Sequence, residues 1–198
     1  MTLAALAIDD RLPVTFTSPG LSEEEFLELL AEFPNATVEY HADGTVTLMP
    51  PTDPETSERV GEIVSQLRNW TRQYGGRFSG PDGGFRFPDG SRLAPDASWF
   101  DAERWKATKT PGIRFPVFSP EFVIEVRSPD DRLRPLQEKM QEYIDNGVLL
   151  AWLIDPIKKT ATIYRPGVEP MTLDNPATLA GDGPMKGFVL DLKIVFSA

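Results

Sequence analysis

Apolar residues recur along this chain with two periods, and the points where the period changes mark its elements. Ser22 followed three residues later by Glu25 is the signature of a capped helix start; Phe26, Leu29, Leu30 and Phe33 then form an apolar stripe that Pro34 stops. Residues 37–40 and 45–49 alternate around Ala42-Asp43-Gly44, which predicts a hairpin. Beyond Pro50-Pro51, Val60, Ile63, Val64, Leu67, Trp70 and Tyr74 return at helical spacing, so a long helix is expected over 55–74, stopped by Gly75-Gly76. Short β segments at 77–79, 85–87 and 97–100, separated by Asp82-Gly83 and Asp89-Gly90, predict an antiparallel meander, and Asp101 caps a short helix containing Trp105.

The second half changes character. Residues 121–126 form a largely apolar strand, Phe122-Val123-Ile124 and Val126 with Glu125 between them, as expected of a central strand of the sheet. A helix over 132–146 closed by Gly147, a buried strand over 149–154 and a strand over 160–165 follow. The run from 121 to 154 is therefore a strand–helix–strand crossover. Short β segments and a Pro/Gly-rich loop complete the chain. The expected class is α/β (α+β), with residues 1–20 as a poorly ordered lead-in containing Pro13 and Pro19, and 21–198 as a single domain.

At 198 residues the chain is long enough for one sizeable core. It has no run of 18 apolar residues, and residues 1–10 lack a basic segment, so neither a membrane span nor a signal peptide is expected and the expected compartment is the cytoplasm. Cysteine is absent, which removes disulfides, thiolate metal sites and cysteine nucleophiles. The single histidine, His41, sits beside the Asp43-Gly44 turn, so multi-histidine metal sites are impossible and a Ser-His-Asp triad has poor support. Neither GxxxxGK[ST] nor GxGxxG occurs. By elimination, any enzymatic chemistry here would rest on carboxylates, lysine and arginine, with or without a hard cation.

The net charge of −10 argues against general affinity for nucleic acid, but the charge is unevenly spread. Residues 1–58 hold one arginine and twelve acids, whereas residues 59–114 hold ten Lys/Arg and six acids. Local fields, rather than the total, decide where a polyanion docks.

Three side chains stand out. Asp96 follows Pro95 at the start of a strand, where it can serve a site or simply close a turn. Glu125 shares a strand face with Val123; if buried there it needs a partner or a cation, and it can instead be neutralised by Arg127 or lie at the strand end in water. Lys139 lies beside Tyr143 at the edge of the stripe made by Leu136, Met140, Tyr143 and Ile144, where it can point at the sheet edge or cover the core with its stem. Glu138 and Glu142 suit solvent-facing ion pairs. Two carboxylates on adjacent strands supply hard oxygens suited to Mg²⁺, and a lysine beside them can stabilise charge on a phosphate.

Pro95-Asp96-Ala97, the block PEFVIEVRSPDDRLRPLQEKMQEYIDNGVLLAWLIDP over 120–156, the strand ending IYRP at Pro166, and PPTDPETSERVGEIVSQLRNW upstream together resemble the Uma-type putative restriction endonuclease family of the PD-(D/E)XK nuclease superfamily. The resemblance spans most of residues 20–195. It implies a restriction endonuclease-like fold with a mixed central sheet flanked by helices. It further implies that Asp96 and Glu125 match the metal-binding acids, that the Val126 carbonyl is a third protein ligand, and that Lys139 carries the role of the superfamily's lysine. The usual lysine position, two residues after the glutamate, is Arg127 here, which can bind phosphate but not act as a base. The family's helical histidine has no counterpart, and Glu62 is a candidate for a water-mediated metal contact. The implied activity is Mg²⁺-dependent (Mn²⁺ substituting) cleavage of DNA by an endonuclease, with a homodimer suited to cutting a duplex. Trp70, Trp99, Trp105 and Trp152 suit a core or an interface. The other readings are a noncatalytic binding or assembly module on the same fold, and a regulatory partner protein.

Overall fold

The computed structural model describes residues 12–197. In chain order these form β1 (Val14–Thr17), α1 (Glu23–Glu32), β2 (Thr37–Tyr40), β3 (Thr45–Met49), α2 (Pro54–Tyr74), β4 (Arg77–Ser79), β5 (Phe85–Arg86), β6 (Arg92–Leu93), β7 (Ala97–Phe100) and α3 (Ala102–Thr108). They continue with β8 (Phe122–Val126), α4 (Leu133–Asp145), β9 (Leu150–Asp155), β10 (Thr160–Arg165), β11 (Val168–Asp174), β12 (Thr178–Ala180), β13 (Val189–Asp191) and α5 (Leu192–Ser197).

A six-stranded mixed sheet in the order β11-β10-β9-β8-β7-β4 forms the centre. Its one parallel pair is β8 with β9, joined by α4 as the crossover helix. Every residue of β8 and β9 is buried, because both sheet faces are covered. On one face, Ile63, Leu67 and Trp70 of α2 pack against Phe122, Ile124 and Trp152. On the other, Met140, Tyr143 and Ile144 of α4 pack against Val123 and Leu153. Alternation along β8 thus sends Phe122, Ile124 and Val126 toward α2, and Val123 and Glu125 toward α4.

A second sheet of five strands, β1-β3-β2-β6-β5, has its own core, in which Phe26, Leu29 and Phe33 of α1 cover Val38, Tyr40, Val46 and Leu48. The Ser22–Glu25 capping box starts α1, and Asp53 caps α2 by accepting from the Thr56 N–H. The short strands β12 and β13 pair with each other.

Helices α1, α2 and α4, the β2–β3 hairpin and the strands of the crossover lie within a residue or two of their sequence-based bounds, whereas α5 is a helix in a stretch where only short β segments and a loop were expected. Two further expectations need correction. Residues 77–100 are not a meander: β4 pairs with β7 in the central sheet, while the intervening β5 and β6 pair with each other and join the second sheet through β2. The lead-in expected over 1–20 lies outside the described residues as far as residue 11, but Val14–Thr17 form a strand registered on β3. Trp70, Trp99 and Trp152 are buried, and Trp105 packs partly buried against the α4-side core.

One close approach fixes the turn from α2 into β4. Gly76 has φ +84°, and a Cβ there would collide with the Trp99 indole, whose Nε1 donates to the Gly75 carbonyl at 3.0 Å. Gly76→Ala combines a left-handed backbone with overpacking, an expected loss of about 3 kcal/mol. A fall in the urea midpoint at unchanged slope is the expected reading; an unshifted midpoint contradicts the contact.

Candidate active site

Antiparallel register sets Ala97 opposite Ile124, so Asp96, one residue before β7, falls opposite Glu125 and on the same face. Asp96 Oδ2 accepts from the Val126 N–H at 2.7 Å. In an extended strand the N–H and C=O of one residue point the same way, so the Val126 carbonyl opens on the side where Asp96 lies. From across this face α4 delivers Lys139, whose Nζ stands 2.8 Å from Glu125 Oε1. Tyr143, one turn further along α4, donates its hydroxyl to the same Oε1 at 2.7 Å.

The structure adds a residue that sequence reasoning missed. Glu39 of β2 reaches Lys139 Nζ with its Oε1 at 2.8 Å, and that oxygen also accepts from the Ala94 N–H at 2.8 Å. In a hairpin strand, a glutamate between Val38 and Tyr40 reads as solvent-facing. Here α4 and the 92–94 segment cover that face, and Glu39 is 2% exposed. Glu125 and Lys139 are buried too, while Asp96 keeps part of its surface open.

Three carboxylates thus surround one ammonium, leaving a formal excess of two negative charges when all are ionised. Burial, reinforced by Asp131 and Glu39, pushes Asp96 up to about 6 against the pull of the Val126 N–H and Lys139. Burial and the neighbouring Asp96 and Glu39 charges push Glu125 up to about 8, although Lys139 opposes this. For Lys139, burial alone would depress the pKa, but Glu125 and Glu39 together outweigh it and hold the proton firmly. Burial and the Glu125 charge drive the Tyr143 hydroxyl well above its ordinary range, so it remains a donor.

The cluster has an outer rung. Glu39 and His41 share a face of the hairpin strand, as Lys139 and Glu142 share a face of α4. His41 Nδ1 lies 2.7 Å from Glu142 Oε2, and Glu142 Oε1 accepts from the Ala42 N–H at 3.1 Å. His41 is therefore a half-buried partner of α4 and not a free hairpin residue, and Glu142 does not face solvent as an ordinary helix pair. Glu138 does, bonded to Arg134 at 2.9 Å.

The accessory candidates lie elsewhere. Arg127 spends its guanidinium on the buried Asp155 at 2.9 Å and on the Asp131 carbonyl at 3.3 Å, so it neither neutralises Glu125 nor joins the cluster. Glu62 accepts from Gln66 Nε2 at 3.0 Å along α2.

A hard cation suits this donor set. The described hydrogen bonds fall on one oxygen each of Asp96 and Glu125, leaving the other oxygens clear of them. Among the described residues no three or more His, Cys, Asp or Glu side chains form a group spaced to hold a metal.

A mixed sheet flanked by helices, with acids at one strand edge and a lysine on the crossover helix, defines a restriction endonuclease-like fold. Residues 23–193 match the family described as Uma2: Putative restriction endonuclease, and the chain belongs to that family. Among solved structures it is similar to a putative nuclease belonging to DUF820 from Anabaena variabilis ATCC 29413, at 25% identity and a TM-score of 0.74, over 90% of this chain and 98% of that one. A DrdV–DNA complex is a far weaker likeness, with 14% identity and a TM-score of 0.36 over 61% of this chain and 12% of that one. No curated protein matches the chain. No helix among the described residues is long and apolar enough to cross a membrane.

The charge excess makes a prediction without any substrate. Glu125 holds its proton more tightly folded than unfolded, so between its unfolded value of 4.5 and about 8 the folded state binds more protons and stability falls as pH rises. The melting temperature of metal-free protein is expected to drop across that window, and Glu125→Gln to flatten the drop. Equal slopes in both proteins would mean that Glu125 does not carry the excess.

Proposed function

We propose that this protein is a Mg²⁺-dependent endonuclease that hydrolyses phosphodiester bonds in DNA. The observation carrying this reading is the grouping of the buried Glu125 and Glu39 and the partly open Asp96 around the single Lys139 ammonium, because its surplus negative charge suits a divalent cation. Asp96 and Glu125, with the Val126 carbonyl, are the residues that would hold Mg²⁺, with Mn²⁺ able to replace it. When bound, the cation lowers the pKa of a water and offsets charge on the phosphate.

The chain's own groups do the rest. Lys139 keeps its proton throughout, so it acts as a fixed positive charge that steadies the phosphate and orients the attacking water, not as a base. Glu39, its carboxylate fixed by the Ala94 N–H, holds that ammonium in place from the second sheet. Tyr143 fixes the rotamer of Glu125 and leaves its second oxygen available. Arg127 braces the ends of β8 and β9 through Asp155. Cutting both strands of a duplex needs two such centres, which a homodimer supplies.

Asp96→Ala, Glu125→Ala and Lys139→Ala are each expected to lower Mg²⁺-dependent nicking of plasmid DNA by roughly 100-fold or more, while Glu138→Ala leaves it unchanged. Circular dichroism checks the fold of each. Calorimetry with Mg²⁺ should show heat for the parent and none for Asp96→Ala. A parent that neither binds Mg²⁺ or Mn²⁺ nor cuts would make this a noncatalytic member of its fold.

A further inference from the structure

A cavity of about 150 Å³ lies on the far side of β2 from Lys139. Val38, which alternates with Glu39, is in its wall, and so is Ala94, whose N–H is bonded to Glu39 and which stands two residues from Asp96. The cavity and the cluster of acids are therefore built on the two sides of the same short segments.

The walls have a definite chemistry. Phe26, Phe85 and Phe115 line the cavity, with Phe26 and Phe115 set edge to face at 6.1 Å between centroids. Arg92 also lines it, is 5% exposed, and its Nε–H has no acceptor among the described residues. Its other nitrogens are engaged, Nη2 with Glu23 at 3.2 Å and Nη1 with the Leu21 carbonyl at 3.5 Å. Arg114, exposed and with its guanidinium over the Phe115 ring at 5.2 Å from the centroid, adds a second donor group, and Asp82 is the one acid in the wall.

We infer that this cavity receives a single unstacked base of the nucleic-acid strand whose phosphate lies at the Asp96–Glu125 site. A volume of this size holds one small ring system and nothing as large as a peptide side-chain cluster. Aromatic walls with guanidinium donors and one carboxylate acceptor match the flat faces and the donor–acceptor edge of a base. The approach is electrostatically favoured by Lys109 and Arg114, which have no ion-pair partner among the described residues, whereas Arg104 and Lys106 of the same segment are paired with Glu121 and Glu103. The inference rests on the nuclease reading, since it takes the strand to be the substrate of that site.

The test fills the cavity without touching the acids. A Cβ at Gly84 would meet Phe115 at 3.7 Å and the Leu93 carbonyl at 3.9 Å, ordinary contacts, so Gly84→Leu places its further carbons among the cavity walls. The probe is a single-stranded oligonucleotide carrying one 2-aminopurine, titrated with protein in Ca²⁺. The parent is expected to raise the probe's fluorescence as the base leaves its stack. Gly84→Leu should abolish the rise and weaken binding roughly ten-fold, the worth of one base–aromatic contact, with an unchanged melting temperature and unchanged Mg²⁺ calorimetry. Arg114→Gln, at an exposed position, should weaken binding in the same direction without any risk to the fold. No rise with the parent, or a rise that survives Gly84→Leu, overturns the inference. Plasmid nicking, read separately, judges the nuclease reading: a parent that nicks DNA yet gives no rise sinks the base pocket alone.

Discussion

An ammonium group with almost no access to water must be matched by charge, and the way Lys139 is matched organises this protein. Its two carboxylate partners come from different sheets, Glu125 from the central one and Glu39 from the second. Burying such a group is costly unless its geometry and remaining hydrogen bonds are good. Here the Ala94 N–H, the Tyr143 hydroxyl and the Val126 N–H satisfy the carboxylates, and the packing of α4 on β8 holds the lysine stem. A lysine has three donors, and the described partners take two of them. The charge arrangement is thus stable as a fold element and unfinished as an electrostatic one.

That incompleteness bears on how an acidic chain can meet a polyanion. The net charge of −10 is largely an N-terminal property, and the strip over 104–114 is purely basic. On the nuclease reading, a phosphate backbone approaching along that strip would meet Lys109 and Arg114, which have no ion-pair partner among the described residues. On that reading the carboxylates would repel it only at short range, where Lys139 and a bound cation would offset them.

Much of this was legible in the order of residues, for local reasons. Glu125 interrupts an apolar strand, Asp96 opens the neighbouring one, and Lys139 sits on the edge of a helical stripe; alternation and the helical period are enough to put each on its face. Glu39 was not legible, because the covering that buries it comes from α4, about a hundred residues away. His41 and Glu142 were misjudged for the same reason, each looking solvated within its own element. The meander failed differently: Asp-Gly turns announce reversals but do not say which strand a reversal pairs with, and β5 and β6 leave the central sheet altogether. Arg127 occupies the lysine position of the superfamily pattern, yet no local signal shows that Asp155 claims it.

The split origin of the lysine's partners has one further consequence. The second sheet has a small core of its own, separate from the large one that holds Asp96, Glu125 and α4. If that smaller unit loosens, Glu39 and His41 withdraw together and the ammonium is left with Glu125 as its one bonded carboxylate, while the principal core is still intact. The chemistry of this centre is then the first thing lost on the way to denaturation, and its presence is a report that both halves of the molecule are seated.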